Sequence, residues 1–111
     1  MRNHELLEIN EDCENDFNES YLQNFIDKNK ITFLYVYNQD LQNQIAYVIN
    51  KNIETVQNTY NPDITLKIRV SKLMHQTLNK ILDKEASLPI IMLFKDRELI
   101  EFLDDCILVE K

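Results

Sequence analysis

Two unbroken apolar runs, residues 31–37 and 90–94, dominate the hydrophobic pattern of the chain. Each run is too short for a typical helix and is rich in β-branched or aromatic residues, which favours a strand buried on both faces. Pro89 precedes the second run and has no N–H to donate to a ladder, so it must begin that strand. The pattern therefore predicts two neighbouring strands at the centre of a sheet.

Weaker strand patterns occur in three other segments. Apolar and polar residues alternate weakly in residues 5–9 and regularly in residues 64–70. In the second segment the apolar side chains occupy the even positions, as in a strand covered on one face. A tight turn at residues 95–98 is followed by an apolar, acidic, apolar alternation at residues 100–102. This alternation predicts a final strand with one face in water, although the neighbouring residues 99 and 103 are leucines.

Three further segments have apolar residues at helical spacing. The first helix follows an acidic connection, has Asp16 or Asn18 as its candidate N-cap and ends near Asn29. The second is long and begins beside Asp40, which is interpreted as a helix cap, and the third follows Ser71. The apolar stripes of the three helices are Phe17, Tyr21, Leu22, Phe25 and Ile26; Leu41, Ile45, Val48, Ile49, Ile53 and Val56; and Met74, Leu78, Ile81 and Leu82.

Length and charge limit the classes of protein to which the chain can belong. The 111 residues fit a single domain, residues 1–111, that can form a core without metal or disulfide support. No apolar run approaches the ~20 residues that span a bilayer, and the N-terminus lacks an apolar signal core, so a cytoplasmic location is expected. The net charge is −7, and residues 1–29 hold eight acidic and two basic side chains. Because such a surface repels nucleic acid and anionic lipid, neither is an expected partner.

The cysteines and histidines form no catalytic or metal-binding pattern. Cys13 and Cys106 are far apart in sequence and are interpreted as free thiols. His4 and His75 have no second ligand at a metal-binding spacing, and His75 is expected at the surface of the third helix. The chain has no glycine, so Asn, Asp or a strained residue must occupy every positive-φ position. We therefore expect no catalytic residue, cofactor or metal site.

The order of the elements and several motifs resemble thioredoxins. Residues 88–98 are similar to that family's run of an apolar residue, proline, several aliphatics and Phe-Lys-Asn-Gly-Glu, with Arg97 where the family prefers glycine. Residues 33–37 resemble the central strand that leads to the family's active site, and residues 16–17, Asp-Phe, resemble the entry to its first helix. The resemblance covers about residues 5–103 and implies an α/β, thioredoxin-like fold with a central mixed sheet flanked by helices.

The chain departs from the family at the redox centre. Thioredoxins carry Trp-Cys-Gly-Pro-Cys at the start of the long helix, where the helix N-terminus lowers the pKa of the first thiol. Residues 38–44 of this chain read Asn-Gln-Asp-Leu-Gln-Asn-Gln. If the apolar stripe of the long helix is aligned with that of thioredoxins, the two cysteine positions of the family fall at Asp40 and Asn43. If the end of the preceding strand is aligned instead, they fall at Leu41 and Gln44. Neither register contains a cysteine.

The resemblance also bears on the C-terminal region. The family ends in a helix of several turns, whereas residues 103–111 alone follow the last predicted strand here. The apolar residues 106–109 are either a strand extension or the start of a truncated helix. The final helix is therefore expected to be short or absent.

A partner-binding surface is implied beside Leu88 and Pro89. In thioredoxin-like proteins the residue before this proline offers backbone groups to an extended peptide, and we expect a cis Leu88–Pro89 bond here. Alternatively, Pro89 only shapes the sheet. The leading hypothesis is a redox-inactive adaptor or accessory module that binds a protein or an extended peptide. Its partner would contact this groove and a neighbouring segment assumed to be exposed, including Tyr37, Asn38, Asp40, Leu41 and Asn43.

Two other functions stay open. One is a thiol oxidoreductase that uses Cys106 or Cys13 with an external thiol such as glutathione. The other is a structural subunit of a homo-oligomer, which would bury an apolar patch on the sheet.

Overall fold

The computed structural model describes residues 5–105, in which strands and helices alternate until two consecutive strands end the range. In chain order the elements are β1 (Glu5–Ile9), a 3-10 helix (Glu11–Asp16), α1 (Glu19–Lys28), β2 (Ile31–Tyr37), α2 (Gln39–Tyr60), β3 (Ile64–Arg69), α3 (Lys72–Leu82), β4 (Ile90–Lys95) and β5 (Glu98–Asp104). His4 and the apolar residues 106–109, including Cys106, lie outside the described residues.

The strands form one mixed sheet in the order β1-β3-β2-β4-β5. β1 and β2 each run parallel to β3, while β4 is antiparallel to β2 and β5 is antiparallel to β4. The two strongest apolar runs of the sequence are therefore neighbours, as predicted, with Phe33 opposite Leu93. The predicted α/β architecture, a mixed sheet flanked by helices, is confirmed.

Alternate residues of the central strand β2 belong to two separate cores. Leu34 and Val36 pack on the face covered by α1 and α3, where Met74 and Leu78 are also buried. Residues 33, 35 and 37 are aromatic and pack on the opposite face, beneath α2. Tyr37 is in this second row and only 4% exposed, so the prediction that it is exposed is wrong.

Short polar side chains cap the helices. Asn18 caps α1 and Ser71 caps α3, two of the predicted positions. At α2 the cap is Asn38, whose Oδ1 accepts a hydrogen bond from the Leu41 N–H at 2.9 Å. The interpretation of Asp40 as the cap is therefore wrong, because Asp40 lies within the first turn.

Positive-φ positions follow the expectation for a chain without glycine. Within the described range they are Asn61, Asp83, Asp96, Arg97 and Asp105. Four of these are Asn or Asp, the non-glycine residues that tolerate this conformation best. Arg97, with φ of 71°, is the exception and lies in the turn between β4 and β5.

Two elements differ from the simple pattern. The acidic connection at residues 10–15 folds into the 3-10 helix, with Asn10 as its N-cap. In α2 the backbone at Ile45, with φ of −133° and ψ of 37°, interrupts the helical conformation that the stripe predicts to be continuous.

β5 also differs from its predicted pattern, in which only one face of the strand contacts water. The register with β4 shifts between Leu93 and Phe94, which face Glu101 and Leu99 respectively. Ile100 therefore takes the extra position of a β-bulge, which explains why the apolar alternation is disturbed. Almost all of β5 is exposed, including Leu99 and Ile100.

Candidate functional site

The ends of β2 and β3 bring two helix N-termini side by side. The Val70 N–H donates a hydrogen bond to the Tyr37 C=O at 2.8 Å. The residues that follow, Asn38 and Ser71, are the N-caps of α2 and α3. The positive ends of both helix dipoles consequently lie at this edge of the sheet, where they favour negatively charged groups.

A cavity of about 210 Å³ separates these caps from the segment before β4. We call it the Leu88 groove, and its lining residues are Asn38, Val70, Ser71, Lys72, His75 and Leu88. Lys72 is exposed and Leu88 is half-buried. The groove therefore combines one cation, several polar groups and an apolar wall.

His75 fixes the position of the segment that leads to Leu88. Its Nε2 lies 2.9 Å from the Ala86 carbonyl oxygen, which accepts a hydrogen bond when this nitrogen is protonated. The Ala86 N–H in turn donates to Asn79 Oδ1 at 3.0 Å. Because α3 bonds both main-chain groups of Ala86, this histidine is a structural part of the groove. His75 lies at the surface of α3, as predicted, although it is half-buried there.

The Leu88–Pro89 peptide bond is cis, as expected, and Pro89 is buried. Just before it, the Ser87 carbonyl accepts a hydrogen bond from the Asp105 N–H at 2.8 Å. Within residues 5–105 no hydrogen bond is made to the N–H or the C=O of Leu88. Leu88 therefore has a main-chain donor and an acceptor beside the groove that the described residues leave unpaired.

The structure brings together only some of the residues that the sequence suggested for the site. Asn38 and Leu88 line the same groove, with Pro89 adjoining Leu88 in the chain. Tyr37 packs edge-on against the Tyr35 ring, with their centroids 6.3 Å apart, and so belongs to the core beneath α2.

The residues suggested on α2 do not line the Leu88 groove. Leu41 is half-buried against the core beneath α2, which contradicts its assumed exposure. Asp40 and Asn43 are exposed, and the Asn43 Oδ1 accepts a hydrogen bond from Gln39 Nε2 at 3.1 Å.

Four lining residues were missed, namely Val70, Ser71, Lys72 and His75. They follow β3, whereas the site residues predicted from the sequence lie at the end of β2, at the start of α2 and just before β4. The topology offers the missing signal, because the carboxyl ends of neighbouring parallel strands lie together at one edge of a sheet.

A second polar cluster lies nearby at Arg69. Its guanidinium donates to both carboxylate oxygens of Glu11 at 3.0–3.2 Å and to Gln42 Oε1 at 3.2 Å, joining the 3-10 helix, β3 and α2. The hydrogen bond from Arg69 holds the pKa of Glu11 below its ordinary value. Burial, followed by the charge of Glu8, raises the pKa of Tyr37.

The described cysteine, Cys13, lies in the 3-10 helix and packs against the core beneath α1 and α3. Residues 38–44, at the start of α2, contain no cysteine. Within residues 5–105 no group of three or more His, Cys, Asp or Glu side chains is arranged to hold a metal ion. No helix in the same range is both long and apolar enough to cross a membrane.

No protein-family model matches the sequence, and no curated protein matches it significantly. Solved structures do match. A protein provisionally named an oxidoreductase with a thioredoxin fold superposes with a TM-score of 0.60 at 13% identity, covering 93% of this chain and 88% of its own. The chain has a thioredoxin fold.

Two thioredoxins are similar to this chain over nearly its whole length. A mutant thioredoxin from Halobacterium salinarum gives a TM-score of 0.57 at 17% identity, covering 90% of this chain and 77% of its own. Thioredoxin f from spinach chloroplast gives 0.55 at 14% identity, covering 90% and 80%. Identities this low establish the thioredoxin fold alone.

Proposed function

We propose that this chain is a redox-inactive, protein-binding module of thioredoxin fold that holds an extended peptide of its partner in the Leu88 groove. The observation that carries the proposal is the main chain of Leu88, which has no hydrogen-bond partner among the described residues and adjoins the groove. A peptide lying beside it in extended conformation can bond to both groups, as in strand addition.

The charges around the groove favour a partner segment with an acidic residue. Lys72 contributes a cation, and α2 and α3 both present their N-termini here. The peptide is therefore expected to place an aspartate or glutamate beside Lys72 while its backbone pairs with Leu88.

Redox inactivity is proposed because residues 38–44 supply no thiol at the helix N-terminus, where depression of a thiol pKa is strongest. The similar structures include thioredoxins, so the competing proposal is an oxidoreductase using Cys13 or Cys106 with glutathione. Insulin reduction by dithiothreitol separates the two. We expect no acceleration, and an acceleration abolished by Cys13→Ser or Cys106→Ser would establish the enzyme instead.

The binding proposal is tested by selecting displayed random peptides on the purified protein and mapping the best binder by amide chemical shifts. We expect selected peptides to contain acidic residues and to shift the resonances of Asn38, Ser71 and Leu88. Lys72→Glu should weaken binding about two- to five-fold, the size of an exposed ion pair. The matched control is Lys51→Glu, an exposed lysine in the middle of α2, which should leave affinity unchanged. Failure to select any peptide, or shifts confined to another surface, would refute the assignment.

A further inference from the structure

β5 forms one edge of the sheet that residues 5–105 build. The strand order puts β5 last, and within residues 5–105 no other strand pairs with that side. Leu99, Ile100 and Leu103 on this strand are 47%, 45% and 42% exposed. Edge strands present unpaired N–H and C=O groups, which makes them templates for an added strand.

An apolar groove adjoins this edge on the face beneath α2. It has a volume of about 250 Å³ and lies between α2, β4 and β5. We call it the β5 groove, and its lining residues are Thr55, Val56, Thr59, Tyr60, Ile91, Leu93, Glu101 and Leu103. Ile91 and Leu93 are buried, whereas Tyr60 and Leu103 are about two-fifths exposed. The groove can therefore accept an apolar side chain from a strand added to β5.

The charge of β5 decides between a second copy and a different partner. Residues 98–105 contain four acidic side chains, Glu98, Glu101, Asp104 and Asp105, and no lysine or arginine. Two copies paired through β5 would bring these charges to an interstrand spacing of about 4.8 Å, where like charges opposite each other destabilise a sheet. A segment containing lysine or arginine is attracted instead.

The β-bulge at Ile100 also disfavours pairing of two copies through β5. Bulges bend and twist an edge strand, which hinders pairing with an identical flat edge. Beyond the bulge, residues 101–104 keep a regular register with β4, from Glu101 opposite Leu93 to Asp104 opposite Ile90. This regular stretch is long enough to pair with a short extended segment, and it adjoins the β5 groove.

We propose that the β5 edge and the β5 groove bind an extended segment of another protein in which an apolar anchor lies between lysine or arginine residues. The backbone of the segment pairs with residues 101–104, and its anchor enters the groove beside Leu103. Its basic side chains meet Glu101 and Asp104, which lie on opposite faces of β5. This surface is separate from the Leu88 groove and does not depend on it.

The test uses the full 111-residue chain and a short fluorescein-labelled peptide in which one valine is flanked on each side by two lysines, so that lysines project from both faces of the added strand. Binding is measured by fluorescence anisotropy at about 0.15 M salt. Leu103→Ser should raise Kd about ten-fold, because the anchor loses its apolar contact. Glu101→Gln should raise it about two- to five-fold. N-methylation of alternate probe amides should abolish binding, because it removes the donors needed for strand addition.

Matched controls separate this site from attraction to an acidic protein in general. Glu8→Gln makes the same charge change on β1, the opposite edge of the sheet, and should leave Kd unchanged. Lys72→Gln in the Leu88 groove should also have no effect. Equal responses to Glu8→Gln and Glu101→Gln, or no binding of the probe, would overturn the proposal. If sedimentation shows a dimer that Leu103→Ser dissociates, the β5 groove binds a second copy of the chain, and the proposal is overturned as well.

Discussion

The hydroxyl of Tyr35 is expected to contribute measurably to stability, because it is bonded inside the core beneath α2. Asn52 Nδ2 donates to this hydroxyl at 2.9 Å, and the two residues are 2% and 0% exposed. Tyr35→Phe deletes the oxygen and leaves the buried amide of Asn52 with one partner fewer. A buried polar group that loses a partner costs about 1–3 kcal/mol.

That magnitude is large for a domain of this size. Stabilities of single domains are typically ~5–15 kcal/mol, so Tyr35→Phe removes a substantial fraction. The melting temperature should fall by roughly 4–12 °C, at about 4 °C for each kcal/mol. Urea unfolding followed by circular dichroism gives the free energy directly, and an unchanged m-value confirms that the folded state is intact.

Tyr37→Phe is the matched control, because Tyr37 lies on the same strand and the same face. It lines a polar surface cavity of about 130 Å³, with Gln42, Lys67 and other polar residues. Removal of its hydroxyl should therefore cost less than about 0.5 kcal/mol. Adding Asn52→Leu to Tyr35→Phe should recover part of the loss, since replacing both partners by apolar groups is less costly than replacing one. Equal costs for the two tyrosines would refute this reasoning.

Three further predictions concern stability. Arg69→Met should destabilise by less than ~1 kcal/mol at pH 7, because the Glu11 side chain is 38% exposed. Since the pKa of Glu11 is lowered in the folded protein, urea titrations should show this difference in full above about pH 4.5 and a progressive loss of it at lower pH, as Glu11 becomes protonated. Leu78→Ala should cost ~2–5 kcal/mol, as Leu78 is 1% exposed, whereas Leu73→Ala on the same helix should stay within ~0.5 kcal/mol, as Leu73 is 55% exposed. Arg97→Gly should stabilise by up to ~1 kcal/mol in urea unfolding, because it relieves a positive φ, and a loss of stability would contradict that account.

The central strands could be predicted from local pattern alone. An apolar run of β-branched and aromatic residues has few alternatives to a buried strand, which is why residues 31–37 and 90–94 were recognised and correctly paired. The burial of Tyr37 could also be predicted, because alternate residues of a strand lie on the same face, and Phe33 and Tyr35 precede it at a spacing of two. Tyr37 is also the last residue of β2, a position where side chains are commonly exposed, and these two signals conflict.

Other features depend on tertiary contacts that local pattern does not encode. The shift at Ile100 is a property of pairing between β4 and β5, so the sequence of β5 by itself only looked irregular. Likewise, His75 is half-buried because Ala86 folds back onto α3. The Leu88 groove required knowing that the ends of β2 and β3 are neighbours, which follows from the sheet order and not from either segment.

The position of β1 has a consequence for the nascent chain. Glu5 pairs with Ile64, so β1 finds its neighbour in the sheet only after about sixty more residues have been synthesised. By contrast, Lys95 pairs with Glu98, and that hairpin can close as soon as it emerges. During the interval the eight acidic side chains of residues 1–29 repel other nascent copies, so the charge on this segment helps to keep an unpaired strand from aggregating during translation.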